Sequence, residues 1–168
     1  MTRRYVQLDV FASHAGAGNP LAVVLDASGL DDATMQAIAR WTRLPETTFV
    51  FPAESDDATH RIRMFSPRRE VPFAGHPSVG TAHALLDAGL VTPRDGFLVQ
   101  DGIAGKLPLK VQGEGDARTV AVRVPRARVQ EIANPQDPRL VDALAGLELG
   151  ALPPVLMDGG RRWWLVEL

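Results

Sequence analysis

From Tyr5 to Phe11 the chain alternates, with Val6, Leu8 and Val10 on one side and Tyr5, Gln7, Asp9 and Phe11 on the other. That period of two predicts a half-buried strand. A turn-like stretch over 15–20 follows, then a uniformly apolar run from Leu21 to Leu25 that predicts a fully buried strand. Asp31 can cap a helix in which Met35, Ile38, Ala39 and either Trp41 or Thr42 recur at helical spacing. Asp32 in its first turn suits the helix dipole. Leu44-Pro45 ends it, because proline disfavours helical geometry in the residue before it. The β-branched and aromatic run Glu46–Phe51 predicts a third strand, with Glu46 on the face of Thr48 and Val50 and opposite Phe49 and Phe51. His60–Phe65 predicts a fourth, and Ser66–Val71 a loop.

The pattern changes after Phe73-Ala74-Gly75-His76-Pro77-Ser78-Val79-Gly80. Val79, Ala82, Ala84, Leu85, Leu86 and Ala88 leave no clearly polar side, so this helix belongs inside a domain. Pro77 fits its first position, His76 its N-cap and Gly89 its left-handed stop. On that placement the amides of Ser78, Val79 and Gly80 point outward. With Gly75 permitting close backbone approach, they make a ready anion site.

Downstream, 96–100 reads as a short strand, and 106–112 with 118–124 as a hairpin across a Gly-rich turn. Residues 125–132 read as a further strand-like piece. Asn134-Pro135-Gln136-Asp137-Pro138 has linker composition, and Asp137 with Pro138 predicts a short helix running to Ala145. Val155–Met157, a turn at Asp158-Gly159-Gly160 and Trp163–Val166 read as a strand pair opening a new sheet. The expected division is a first lobe over 1–132 and a linker with the opening of an incomplete second lobe over 133–168.

Composition narrows the class. The 168 residues carry a net charge of −2 and are 45% apolar, enough for one good core or one lobe and part of another. Arg3-Arg4, Pro67-Arg68-Arg69 and Arg161-Arg162 are short and scattered, so no nucleic-acid partner is expected. No apolar run is long enough to cross a bilayer, and the N-terminus has no signal-peptide pattern, so no membrane role is expected. The absence of cysteine removes thiolate chemistry and suits a cytoplasmic protein. His14, His60 and His83 lack metal-site spacing with an acidic partner, so no metal is expected.

Two residues stand out for chemistry. Glu46 sits at a helix-to-strand junction among apolar and threonine neighbours, where desolvation can make a carboxyl a usable acid or base near neutrality. A strand-end glutamate reaching into water is the plainer reading from the residues alone. His76, at the mouth of the buried helix, is either a proton shuttle beside a bound carboxylate or phosphate, or an imidazole that satisfies the helix end. Local pattern does not separate the two. Asn19 reads first as a turn residue, although a loop amide can also hold a carboxylate.

Taken together, Asp9-Val10-Phe11 with Gly18-Asn19-Pro20-Leu21-Ala22-Val23-Val24, the Leu44–Val50 run, Arg61–Pro67 and Glu70–Gly80 resemble the signature segments of the phenazine-biosynthesis PhzF-like proteins. The resemblance covers roughly residues 5 to 90. It implies an α+β, diaminopimelate epimerase-like fold of two lobes, each a mixed sheet wrapped around a central helix, with the active site between them. It further implies a cofactor-independent isomerase acting on a small carboxylate-bearing substrate. Glu46 would be the acid/base, and Asn19, Gly75, His76, Pro77 and Ser78 would contact substrate. The second acidic loop of such proteins has no counterpart here. That leaves open a non-catalytic module completed by a partner, through a homodimer or association at the unfinished lobe.

Overall fold

The computed structural model describes residues 2–159 and 162–168, which fall into two units, one ending at Val124 and one beginning at Pro125. In the first, strands β1 (Tyr5–Val10), β2 (Asn19–Val24), β3 (Glu46–Phe51), β4 (His60–Phe65), β5 (Glu70–Val71), β6 (Phe97–Asp101), β7 (Leu107–Gln112) and β8 (Thr119–Val122) make one sheet. Its order is β1-β2-β3-β4-β6-β7-β8, with β5 paired to β4. Two pairs are parallel, β2 with β3 and β4 with β6, and the other pairs are antiparallel.

Helix α2 (Gly75–Asp87) lies against β1, β2, β3 and β8, so both ends of the sheet reach it. The sheet is wrapped around a buried helix, as expected. Strand alternation explains the layering. Val50, Ile62 and Met64 share a core with Val79, Ala84 and Leu85 of α2. Phe49, one residue out of phase, turns to the other face and packs with Met35 and Ala39 of α1 (Asp32–Thr42). Asp31 caps α1 by accepting from the Thr34 amide at 2.8 Å. Between Trp41 and Thr42 the structure selects Thr42. Its hydroxyl lies 2.9 Å from that of Thr47, while Trp41 is 78% exposed.

The start of α2 differs from the expectation. Ala74, extended at φ −149° and ψ 142°, is the N-cap, and the helix begins at Gly75. Pro77 therefore stands third rather than first, and His76 lies inside the first turn. Proline fits there because the third amide of a helix also has no intrahelical partner to lose. The far end is as expected: Gly89 has φ +66°, its amide bonds Leu86 O, and the Leu90 amide bonds Leu85 O. These two bonds form a Schellman motif, which satisfies the last carbonyls.

At Gly80 the helix α2 lies tight against the sheet. A Cβ built there would lie 2.6 Å from Leu21 Cδ2 and 2.7 Å from Val10 Cγ2, both buried. Overpacking of this kind typically costs about 1–3 kcal/mol. Gly80→Ala should lower stability by that amount in a urea titration with an unchanged slope. A variant as stable as the parent would show that α2 can move away freely.

The second unit holds β9 (Arg128–Ile132), β10 (Val155–Asp158) and β11 (Arg162–Leu165) in an antiparallel sheet with β10 central. The 125–132 piece thus pairs with β10, whereas the expected division keeps it with the first lobe. Helix α3 is one turn, Val141–Leu144, capped by Leu140. Asp137 makes the turn just ahead of it: its carboxylate accepts from the Arg139 amide at 2.9 Å, as a cap would, and its carbonyl accepts from the Leu140 and Val141 amides. Arg139 in turn pairs with Asp137 and Glu131 and lies over the Trp164 ring. The turn expected at Asp158-Gly159-Gly160 falls partly outside the described residues.

Candidate active site

The parallel pairing of β2 and β3 aligns Leu21 with Glu46, which sets Asn19 and Glu46 at the same edge of neighbouring strands. The first turn of α2 opens at that edge. Three side chains converge. His76 Nε2 lies 3.3 Å from Glu46 Oε2, and His76 Nδ1 lies 3.1 Å from Asn19 Nδ2. Glu46 is 2% and His76 8% exposed, so a carboxyl group and an imidazole meet in a nearly water-free place. The Nε2–Oε2 approach is close but not aligned as a hydrogen bond, and Nε2 is buried without one.

Burial pulls the His76 ring below the ordinary histidine range, and the Pro20 carbonyl opposes this by favouring the protonated form. Burial is the larger effect, so the neutral ring is favoured. A neutral imidazole next to a buried carboxyl group offers one donor and one proton acceptor side by side.

The other expected site residues are also placed. The amides of Gly75 and His76, not those of Ser78, Val79 and Gly80, fall outside the helical ladder at this start. Ser78 N already bonds Ala74 O at 3.4 Å, and Ser78 Oγ donates to the same carbonyl at 3.1 Å. Ser78 is fully buried, and its hydroxyl closes the helix start. Pro77 is buried beside it. A Cβ at Gly75 would meet nothing within 4 Å, so the space in front of the helix is open there.

Beneath Glu46 lies a contact not anticipated from the sequence. Thr48 Oγ1 donates to Ala22 O at 3.3 Å, so its 2.8 Å contact with Thr81 Oγ1 is one in which Thr81 donates. This ties α2 to the strand that carries Glu46. The Glu-x-Thr alternation in β3 is the signal that could have found it, since Thr48 shares the face of Glu46. A separate cleft of about 510 Å³ lies beyond the other end of α2, lined by Ser55, Thr59, Leu90 and Arg94 among others. None of the converging residues borders it.

A mixed sheet wound around one buried helix, with an acidic side chain and a histidine meeting at the helix mouth, defines a lobe of the diaminopimelate epimerase-like class. Known proteins agree. The chain belongs to the phenazine biosynthesis-like protein family, whose sequence model matches residues 8–168. It is 43% identical over 168 residues to the trans-2,3-dihydro-3-hydroxyanthranilate isomerase of Pseudomonas aeruginosa, covering 98% of this chain and 57% of that one. A solved structure of a predicted epimerase from the same organism superposes with a TM-score of 0.83 at 32% identity, covering 98% of this chain and 59% of the other. A probable proline racemase from Agrobacterium radiobacter shares the fold at TM-score 0.69 and 16% identity, over 98% of this chain and 52% of that one. The chain therefore spans a little over half the length of these relatives. Its family is one of isomerases and epimerases, and among the described residues no helix is long and apolar enough to cross a membrane.

Proposed function

We propose that this chain carries the proton-transfer half of a cofactor-independent isomerase site for a small carboxylate-bearing substrate. Glu46 takes a proton from one carbon of the substrate and returns it to another. His76 donates from Nε2 to a substrate oxygen, and the amides of Gly75 and His76 receive the carboxylate at the helix mouth. The observation that carries this reading is the 3.3 Å approach of Glu46 Oε2 to His76 Nε2, both buried, at the open end of α2. A base in a water-poor site keeps its proton long enough to deliver it to the second carbon. With no cysteine among these 168 residues, the base they supply is not a thiolate.

The substrate in the name of the Pseudomonas aeruginosa relative, trans-2,3-dihydro-3-hydroxyanthranilate, is the natural probe. Its isomerisation by the purified 168-residue chain, followed by NMR, is the expected result. A second reading has one observation behind it: Val129, Ile132, Trp163 and Leu165 are exposed on the three-stranded sheet. Such a patch suits a module that a partner or a second copy completes. Sedimentation of the same sample separates the two. A monomer that turns the probe over supports the isomerase, and a tight oligomer without turnover supports the module.

A further inference from the structure

We propose that Asn19 is a positioning residue that holds the proton of the His76 ring on Nε2, the nitrogen facing Glu46. This rests on the reading of His76 and Glu46 as one site. Asn19 is fixed by its strand, opposite Val10 in the β1–β2 register. Gly18 before it packs so closely that a Cβ would strike the Val10 carbonyl, the Asp9 carboxylate and the Ala12 amide. The start of β2 is thus packed tightly against the end of β1 and the turn after it.

An amide NH₂ only donates, so at 3.1 Å from Nδ1 it demands a lone pair there. The neutral ring then has one place left for its proton. That place is Nε2, buried, 3.3 Å from Glu46 Oε2 and not engaged in a hydrogen bond. The site gains a donor beside the carboxyl group, available to a substrate oxygen. In the opposite tautomer the lone pair of Nε2 would face Oε2, and the donor would be gone. The groups facing the ring are Asn19 and the Pro20 carbonyl from β2 and Glu46 from β3. The Pro20 carbonyl favours a proton on the ring, and the Asn19 amide, donating to Nδ1, opposes its placement there.

Asn19→Asp keeps the shape and exchanges a donor for an acceptor. ¹⁵N NMR of the full chain labelled at histidine reads which ring nitrogen is protonated, with no substrate present. The His76 signals are assigned by their loss in His76→Gln. The parent protein should carry the proton on Nε2. Asn19→Asp should move it to Nδ1 or protonate both nitrogens. Asn19→Leu, which removes the donor without adding an acceptor, should change the tautomer ratio by about tenfold, the effect of one net hydrogen bond. A proton on Nδ1 in the parent overturns the proposal. So does an unchanged tautomer in whichever of these two variants folds, because a merely structural Asn19 would alter stability and leave the ring proton in place. The two readings fail separately: a harmless Glu46→Gln would remove the catalytic role and leave the tautomer measurement standing.

Discussion

Glu46→Gln should lower turnover by about 10²–10⁴, the usual contribution of a positioned general acid/base, while the melting temperature stays at or above that of the parent. Glutamine has the same shape and can still sit against His76 Nε2, so packing around the 2% exposed side chain is preserved. What it lacks is an oxygen that binds and releases a proton. Stability should not fall, because a buried carboxyl group is costly to hold and a neutral amide less so. The measurement is kcat on the probe substrate beside a thermal melt. Loss of both activity and fold would assign Glu46 to the structure instead, and near-normal turnover would remove it from the mechanism.

The second large effect is on stability in acid and concerns His60, at the far end of the same layer. Thr59 Oγ1 donates to Val99 O and accepts from the Val99 amide, so its 2.9 Å contact with His60 Nδ1 is one in which the ring donates. Nε2 of His60 is a buried lone pair without a hydrogen bond, and burial pushes the ring down to about 4. Above the unfolded value of 6.5 both states are uncharged, and His60 contributes nothing to pH dependence. Between 6.5 and 4 the unfolded chain takes up a proton that the folded one refuses, so stability falls with pH and levels off below 4. The full loss is about 3 kcal/mol. Urea midpoints from pH 7 to pH 4 should decline less steeply in His60→Gln than in the parent. Asp31, Asp32 and Asp57 have carboxyls lowered by hydrogen-bond partners, so their losses come at lower pH and are common to both proteins. Equal slopes would show that the buried ring is protonated without cost.

Much of the first unit was legible because its signals are local. The β-branched composition of 46–51 and the apolar alternation of 60–65 gave strand limits that the structure repeats. Asp31 and Gly89 punctuate their helices by chemistry confined to one turn. The sequence places the start of α2 two residues late because proline gives up no intrahelical hydrogen bond at any of the first three positions, and the extended backbone of Ala74 leaves no mark in the sequence. The pairing of β9 with β10 was illegible for a different reason. Strand composition says that a segment is extended and not which neighbour it will find. At Asp137 the capping chemistry is present, its carboxylate accepting from the Arg139 amide, but the helix itself is a single turn that starts only after Leu140.

The candidate site divides in the same way. Glu46 and His76 were each ambiguous alone, and the family resemblance raised both. Their approach to one another depends on the parallel β2–β3 pair and on the depth at which α2 enters the sheet, which Gly80 permits. In the sequence Asn19 reads as a turn residue or a substrate contact; in the structure its amide lies on the His76 ring. Ser78 likewise turned inward onto Ala74.

The proposed role of the Glu46–His76 pair is tested most directly in D₂O. The NMR signal of the hydrogen on the donor carbon of trans-2,3-dihydro-3-hydroxyanthranilate is followed with the parent chain and with Glu46→Gln. That signal disappears whether the proton is exchanged with solvent or moved to the second carbon. The expected result is loss in the parent and loss at least about 10²-fold slower in the folded variant. Equal rates in the two proteins, or a signal that persists in the parent, would contradict it.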